Sequence, residues 1–460
     1  MLAVVAMTAC SGGMTGGGGS ALPDANPAAA SPETPQDVAA SPQTDADATA
    51  QSATESPAAQ LVSGVADGDI PFMNSNPVRR ICPQPTRPNE MECDALVRTD
   101  LPAMQPDGTP YGYSAHDLQA AYKLPISRGK GHVVAIIDAY GYPHASSDLA
   151  VYRKQYHLPP CNLTNGCLRI LDERGGHNLP PPNNLGWDYE QAIDLDMVSA
   201  ACPNCKLILF QASSDQISDL YQANYTAAKL GVDVTSNSYS GVETAAQYNE
   251  FFPAGHTYVG SAGDYGGGTL PSKYAGPQQP CDFSDFICAG GTHLVKSTNA
   301  RGWNETVWND QTYDQCGAKY TSPCGATGSG CSKLVAKPSW QHDSGCRMRT
   351  ETDIGASASV RAPVAVFHTP GNWLAYGGTS VSAPLIAGMI GLAGNGKSTI
   401  VAERIWNSGG SASINNVVSG TNVYKPVTGP CSSAIGYICI ARKGYSGPTG
   451  WGSPSGVGAL

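Results

Sequence analysis

From about residue 130 onward, almost unbroken apolar runs alternate with helix-patterned segments, and few architectures accept that order. His132 to Asp138 (HVVAIID), Lys206 to Gln211 (KLILFQ), Val232 to Ser238 and Thr257 to Ser261 read as strands. Ser146 to Tyr156 and Asp215 to Leu230 read as helices between them. A strand without polar alternation has to be covered on both faces. Intervening helices supply that cover in a parallel sheet. The predicted fold class is therefore α/β, with a mostly parallel central sheet and helices on both faces. Residues 116–460 are expected to form this one large domain. Residues 300–350 and 410–460 are rich in Gly, Ser and Cys and are expected to be long loops stapled by disulfides.

The N-terminal part does not share the pattern. Residues 16–60 are dominated by Gly, Ala, Ser, Pro, Thr, Asp and Gln. Such a segment buries too little apolar surface to offset its ordering entropy, so residues 11–75 read as a tether. Ahead of it, the apolar run Met1 to Ala9 leads into Cys10, with small residues before the cysteine and a polar tract behind. Residues 1–10 thus read as a signal with a lipobox-like end, Cys10 being the lipid attachment, although no basic n-region precedes it. This predicts a secreted or envelope-anchored protein. Residues 76–115 hold two cysteines and few apolar positions, and are expected to pack as an arm on the main domain.

Setting Cys10 aside, fourteen of the fifteen cysteines remain, an even number. Seven local pairs suggest themselves: 82/93, 161/167, 202/205, 281/288, 316/324, 331/346 and 431/439. Spacing alone leaves other pairings open, and Cys202-Pro-Asn-Cys205 also has the form of a redox motif. No second CxxC or HxxxH accompanies it, which argues against zinc, so structural disulfides in an oxidising compartment are the expectation. The 27 Lys and Arg against 37 Asp and Glu give a net charge of −10, which argues against a nucleic-acid partner. An acidic, lysine-poor surface suits an exported protein that meets low pH.

The chemistry concentrates in three places. Gly377-Gly378-Thr379-Ser380-Val381-Ser382-Ala383-Pro384 puts a serine at the start of an apolar helix, just after a glycine turn. There it sits beside unpaired backbone N–H groups in the positive end field of the helix, where an oxyanion can be held. The same residues also suit a plain N-cap. Trp187 to Ala201 reads as a nearly all-apolar, hence buried, helix with Glu190 and Asp194 on one face. Buried acids are costly unless something uses them, and neighbouring carboxylates raise one another's pKa. Asp188 and Asp196 read as ordinary solvated charges. Asp264, in Gly263-Asp264-Tyr265-Gly266, follows a strand in a glycine turn, where α/β proteins build sites and where turns also favour Asp.

Taken together, Glu190-Gln-Ala-Ile-Asp194, Gly263-Asp264-Tyr-Gly266 and Gly378-Thr-Ser380-Val-Ser382-Ala-Pro384 resemble the sedolisin (serine-carboxyl peptidase) family in order and approximate spacing. The resemblance runs from about Gly112 to the C-terminus. It implies a subtilisin-like fold and peptide hydrolysis through an acyl-enzyme on protein or peptide substrates, by a monomer, with no cofactor needed for the chemistry. It implies Ser380 as nucleophile, Glu190 as general base, Asp194 as its holder, and a protonated Asp264 as oxyanion donor. It also implies that Ser236, Asn237, Ser238 and Tyr239, in the run SNSYSG, form an edge strand that pairs with substrate backbone. An imidazole base is protonated well below about pH 6.5, whereas glutamate titrates near about 4.3, so an acidic optimum is expected.

Two features depart from the family. Its calcium site needs aspartates where Asn416 and Ser446 stand here, and Arg442 adds a cation. Calcium wants oxygen ligands with negative charge, so binding is expected to be weak or lost. The family's large folded propeptide is not apparent. Three other readings compete. One is a conventional Asp-His-Ser subtilase built on Asp138 and Ser380, for which neither His144 nor His177 lies in a suitable turn. Another is a nucleotide site at Gly391 to Ser398 (GLAGNGKS), which follows a helix rather than a strand and so reads as a glycine C-cap and loop. The last is an inactive binding or envelope protein on the same fold.

Overall fold

Val133–Ala139 (β1) is buried along six of its seven residues, Asp138 included. It lies in the middle of the central sheet of a computed structural model that describes residues 69–87, 89–244, 248–267, 276–312, 316, 324–398, 401–423 and 436–460. Cys10, the tether up to residue 68 and Cys431 lie outside the described residues. The other strands of the sheet are Leu168–Asp172 (β2), Lys206–Ala212 (β3), Val234–Asn237 (β4), Thr257–Ser261 (β5), Phe286–Lys296 (β6), Trp303–Val307 (β7) and Ile354–Ser357 (β8). Their order is β7-β6-β5-β4-β1-β3-β2, with β8 paired to β6. Every pairing is parallel except β6 with β7. This is the α/β architecture that the apolar strands predict.

Helices cover both faces. Alternation along β1 and β4 puts Val134, Ile136, Asp138, Val234 and Ser236 on one face. On that side lie Trp187–Ala201 (α3) and Thr379–Ala393 (α5), which pack against each other. On the other face Asn224, in Ile217–Lys229 (α4), bonds Thr235 and Asn237. Ala115–Ala121 (α1) and Ala145–Gln155 (α2) pack on α3. The α3/α5 contact is close because residue 388 is glycine. A Cβ there would stand 2.7 Å from the Ala201 Cβ and 3.1 Å from the Val198 carbonyl oxygen. Ser382 fixes α5 to the sheet, donating to the Gly290 carbonyl at 2.7 Å and accepting from the Ala356 N–H at 2.9 Å.

Six of the expected disulfides are present: 82–93, 161–167, 202–205, 281–288, 316–324 and 331–346. Cys202–Cys205 is thus a bonded pair, and Cys439 is disulfide-bonded as well. Gly394 closes α5 in the left-handed conformation, so the GLAGNGKS run is a helix end and loop. Among the described residues no helix is long and apolar enough to cross a membrane.

Two expectations need correction. SNSYSG is not one edge strand. Ser236 and Asn237 belong to β4, in the sheet interior between β1 and β5, and the chain leaves the sheet at Ser238. Tyr239–Val242 is a separate strand, flanked by Glu92–Cys93 and Gln278–Gln279. Asp196 is not solvated but buried, accepting the Phe367 N–H at 3.2 Å. Only Asp188 is partly exposed, bonded to His368 at 3.1 Å.

Candidate active site

Gly378 takes φ 106°, a conformation that favours glycine, and turns the chain from a strand into α5. Ser380 is the second residue of that helix, so its N–H has no intrahelical partner. It donates instead to the Asp94 carbonyl at 2.9 Å, and the Ser380 Oγ lies 3.3 Å from the Ser238 carbonyl. Asp264 comes from the turn after β5. Its Oδ1 accepts both the N–H and the hydroxyl of Thr379, each at 2.8 Å, and so caps the same helix. Its Oδ2 has no partner and sits against Gly378, 2.7 Å from where a Cβ would be. The Asp94 carbonyl oxygen sits against that same point at 2.2 Å. The Ser380 N–H and the free Asp264 oxygen therefore flank one peptide carbonyl.

Glu190 and Asp194 project from successive turns of α3, and Asp138, near the end of β1, is close enough to act electrostatically on Glu190 and to be acted on by Asp194. All three, with Ser380 and Asp264, have an exposure of 0%. Asp194 Oδ1 accepts the Ser238 hydroxyl at 2.7 Å; its other oxygen and those of Glu190 and Asp138 have no hydrogen-bond partner at normal geometry. Burial pushes all three carboxyls well above the usual range, and proximity adds to it: Asp194 and then Asp138 act on Glu190, and Asp194 on Asp138. The Ser380 hydroxyl pulls Glu190 partly back, and the Ser238 hydroxyl does so for Asp194. Asp264 is likewise raised by burial and by Asp94, against the opposing effect of Arg80 and the Thr379 bonds. Each carboxyl is held toward its neutral, proton-carrying form, the state in which an acid can donate.

The structure thus brings Glu190, Asp194, Asp264 and Ser380 into one buried cluster. Of the four residues expected to bind substrate, Ser238 reaches this cluster through its hydroxyl and its carbonyl. The side chains of Asn237 and Tyr239 bond each other at 2.8 Å and turn toward Asn224, and the Ser236 hydroxyl is buried without a partner. His144 and His177 are both exposed, away from the buried Ser380. The sequence left Asp94 unmarked and offered Asp138 only as the acid of the competing Asp-His-Ser reading, not as a neighbour of Glu190 and Asp194. Asp94 accepts Ser240 Oγ at 2.7 Å and Ser261 Oγ at 2.6 Å, and burial raises it to about 6 against those bonds.

At the C-terminal loop, the Asn416 amide donates to the carbonyls of Gly444 and Trp451 at 2.8 and 2.9 Å and accepts the Gly444 N–H at 2.9 Å. Ser446 pairs with Thr449 at 3.4 Å. The Arg442 guanidinium lies over the Tyr437 ring, 4.3 Å from its centre.

No family model matches the chain. It is 26% identical over 320 residues to kumamolisin of Bacillus sp. (strain MN-32), covering 63% of this chain and 54% of that protein. It is 28% identical over 183 residues to sedolisin of Pseudomonas sp. (strain 101), covering 38% of this chain and 28% of that protein. It therefore spans about half the length of the first and under a third of the second. Among solved structures it is similar to Pseudomonas sedolisin, a serine-carboxyl proteinase complexed with two molecules of pseudo-iodotyrostatin. That match has a TM-score of 0.62 and 23% identity, and covers 75% of this chain and 95% of the other. At that identity the likeness speaks for the fold.

Proposed function

We propose, for a chain that belongs to the sedolisin family by its sequence relatives and its fold, that it is a serine-carboxyl endopeptidase acting on proteins or peptides in acid. The observation that carries this reading is that the Ser380 N–H and the free Asp264 oxygen lie beside one peptide carbonyl while Glu190 feels the Ser380 hydroxyl. Ser380 Oγ attacks the scissile carbonyl carbon while Glu190 takes its proton. Asp194 and Asp138 act electrostatically on Glu190; because three buried acids stand close together, one ionises while its neighbours keep their protons. The negative oxygen of the tetrahedral intermediate is held by the Ser380 N–H and by neutral Asp264. The C–N bond then breaks, Glu190 returns the proton to the leaving amine, and water hydrolyses the ester.

The C-terminal loop does not fit calcium: where the family has aspartates stand Asn416, whose amide is bonded to the Gly444 and Trp451 carbonyls, and Ser446, paired with Thr449, and neither supplies negative charge. The disulfides support an exported protein, with attachment through Cys10 as part of the same proposal.

Casein or peptide hydrolysis at pH 3–5 tests the reading. Ser380→Ala is expected to lower kcat by at least about 10³-fold. Equal rates from the two proteins would return the chain to the inactive binding-protein reading.

A further inference from the structure

The four residues of the proposed mechanism have no exposed surface, and the chain's own arm lies against Ser380 and Asp264. The arm runs extended. Glu90 bridges Gln216, and the Met91 N–H bonds the Asp215 carbonyl at 2.9 Å. Glu92 and Cys93 pair antiparallel with Ser240 and Tyr239, and the Asp94 N–H points at the Ser238 carbonyl at 3.3 Å. Past the next peptide bond, Leu96 and Val97 pair with Gly377 and Tyr376. One strand of polypeptide is thus gripped by main-chain bonds on both sides of the Asp94–Ala95 bond, as a peptide is in strand-addition recognition. The carbonyl of that bond accepts the Ser380 N–H at 2.9 Å, within the distance an oxyanion donor needs.

The side chain on the acyl side of this bond is fully enclosed. Both its oxygens are met by hydroxyls of the cleft wall, Ser240 and Ser261, whose own exposure is 0%. A pocket that offers buried hydroxyls rejects a side chain unable to bond them, because the hydroxyls are left unpaired. Resting on the peptidase reading, we propose that the site recognises an aspartic side chain on the acyl side through Ser240 and Ser261, and that the chain's own Asp94–Ala95 bond is a substrate of it. In that step Ser380 Oγ bonds to the Asp94 carbonyl carbon and its proton passes to Glu190. The Asp94–Ala95 C–N bond breaks as Glu190 protonates the Ala95 nitrogen. Water then adds to the ester, leaving a carboxyl at Asp94 and restoring the Ser380 hydroxyl. Cys82 and Cys93 are bonded to each other on the same side of the cut, so their disulfide does not tie the two products together.

The full chain, prepared at neutral pH and shifted to pH 4, is followed by intact mass and N-terminal sequencing. In parallel, the peptide Met-Glu-Ser-Asp-Ala-Leu-Val, which copies residues 91–97 with Ser in place of Cys93, is assayed beside copies with Leu or Lys in place of Asp. The expected result is a new N-terminus at Ala95 in the wild type and none in Ser380→Ala. Self-cutting in Asp94→Leu should be at least about tenfold slower, and the Asp peptide should be preferred at least about tenfold in kcat/KM over the Leu peptide. That ratio should fall toward one in Ser240→Ala/Ser261→Ala; the Asp94→Leu and peptide readouts stand whether or not that variant folds. Hydrolysis of the peptides without preference for Asp, or with residues 94 and 95 still joined, overturns this inference and leaves the peptidase reading standing. No hydrolysis of any peptide together with no cut of the chain by the wild type removes both.

Discussion

An aspartic side chain can stabilise an oxyanion only while it carries its proton, and Asp264 is kept toward that form by burial and by Asp94. An amide in its place keeps its N–H donors at every pH. Asp264→Asn is therefore expected to retain measurable activity and to lose the fall in kcat on the basic side of the optimum, whereas Asp264→Ala should lose about 10²–10³-fold. A pH–rate profile of the three proteins checks this; a basic limb unchanged in Asp264→Asn would assign that limb to another group. These residues differ in how visible they are in the sequence. Ser380, Glu190 and Asp264 each carry a local mark: a glycine turn before an apolar helix, an acid pair inside an apolar helix, and an acid in a glycine turn. Asp94 has no such mark. It is one acid among polar neighbours in a weakly apolar arm, and its burial depends on Ser240 and Ser261, each more than a hundred positions away.

At the level of elements, the position of Ser380 relative to Glu190 is set by how closely α5 approaches α3. Alanine normally stabilises a helix relative to glycine by about 1 kcal/mol. At Gly388 the added methyl meets the Ala201 Cβ at 2.7 Å and the backbone of Val198, so the helices must separate. Gly388→Ala is expected to destabilise the protein by about 1–3 kcal/mol, read from urea midpoints at constant slope, and to lower kcat with it. A stabilised variant would mean that the contact yields freely. The strands and helices of this core are legible because their apolar periods are long. The break at Ser238 is not, since Ser, Asn and Tyr suit either a continued strand or an exit. What decides it is that β5 pairs with β4 through Asn237, while the arm claims the strand from Tyr239 onward.

For the molecule as a whole, an uncommon number of carboxyls are folded away from water. Asp138, Glu190, Asp194 and Asp264 are raised well above the usual range, Asp94 to about 6 and Glu92 to about 8, each chiefly by burial. A raised carboxyl binds its proton more tightly when folded. Its stabilising contribution is thus complete below the unfolded value near about 4 and is lost as pH climbs through the folded one. The Tm is expected to fall steadily from pH 4 to pH 8, and Asp138→Asn should flatten that slope in calorimetric scans. A Tm that rises over the same interval would show that these acids are ionised in the folded state. The general architecture is legible in sequence, but this acid-loving character depends on which acids become enclosed, and enclosure is a property of the finished fold. The C-terminal loop carries a consequence of another kind. Its chain ends are laced by a neutral amide, Asn416, bonded to Gly444 and Trp451. We therefore propose that no cation is held there: the protein is expected to melt at the same temperature with EDTA or citrate as without, and a lowered Tm in their presence would show a bound ion.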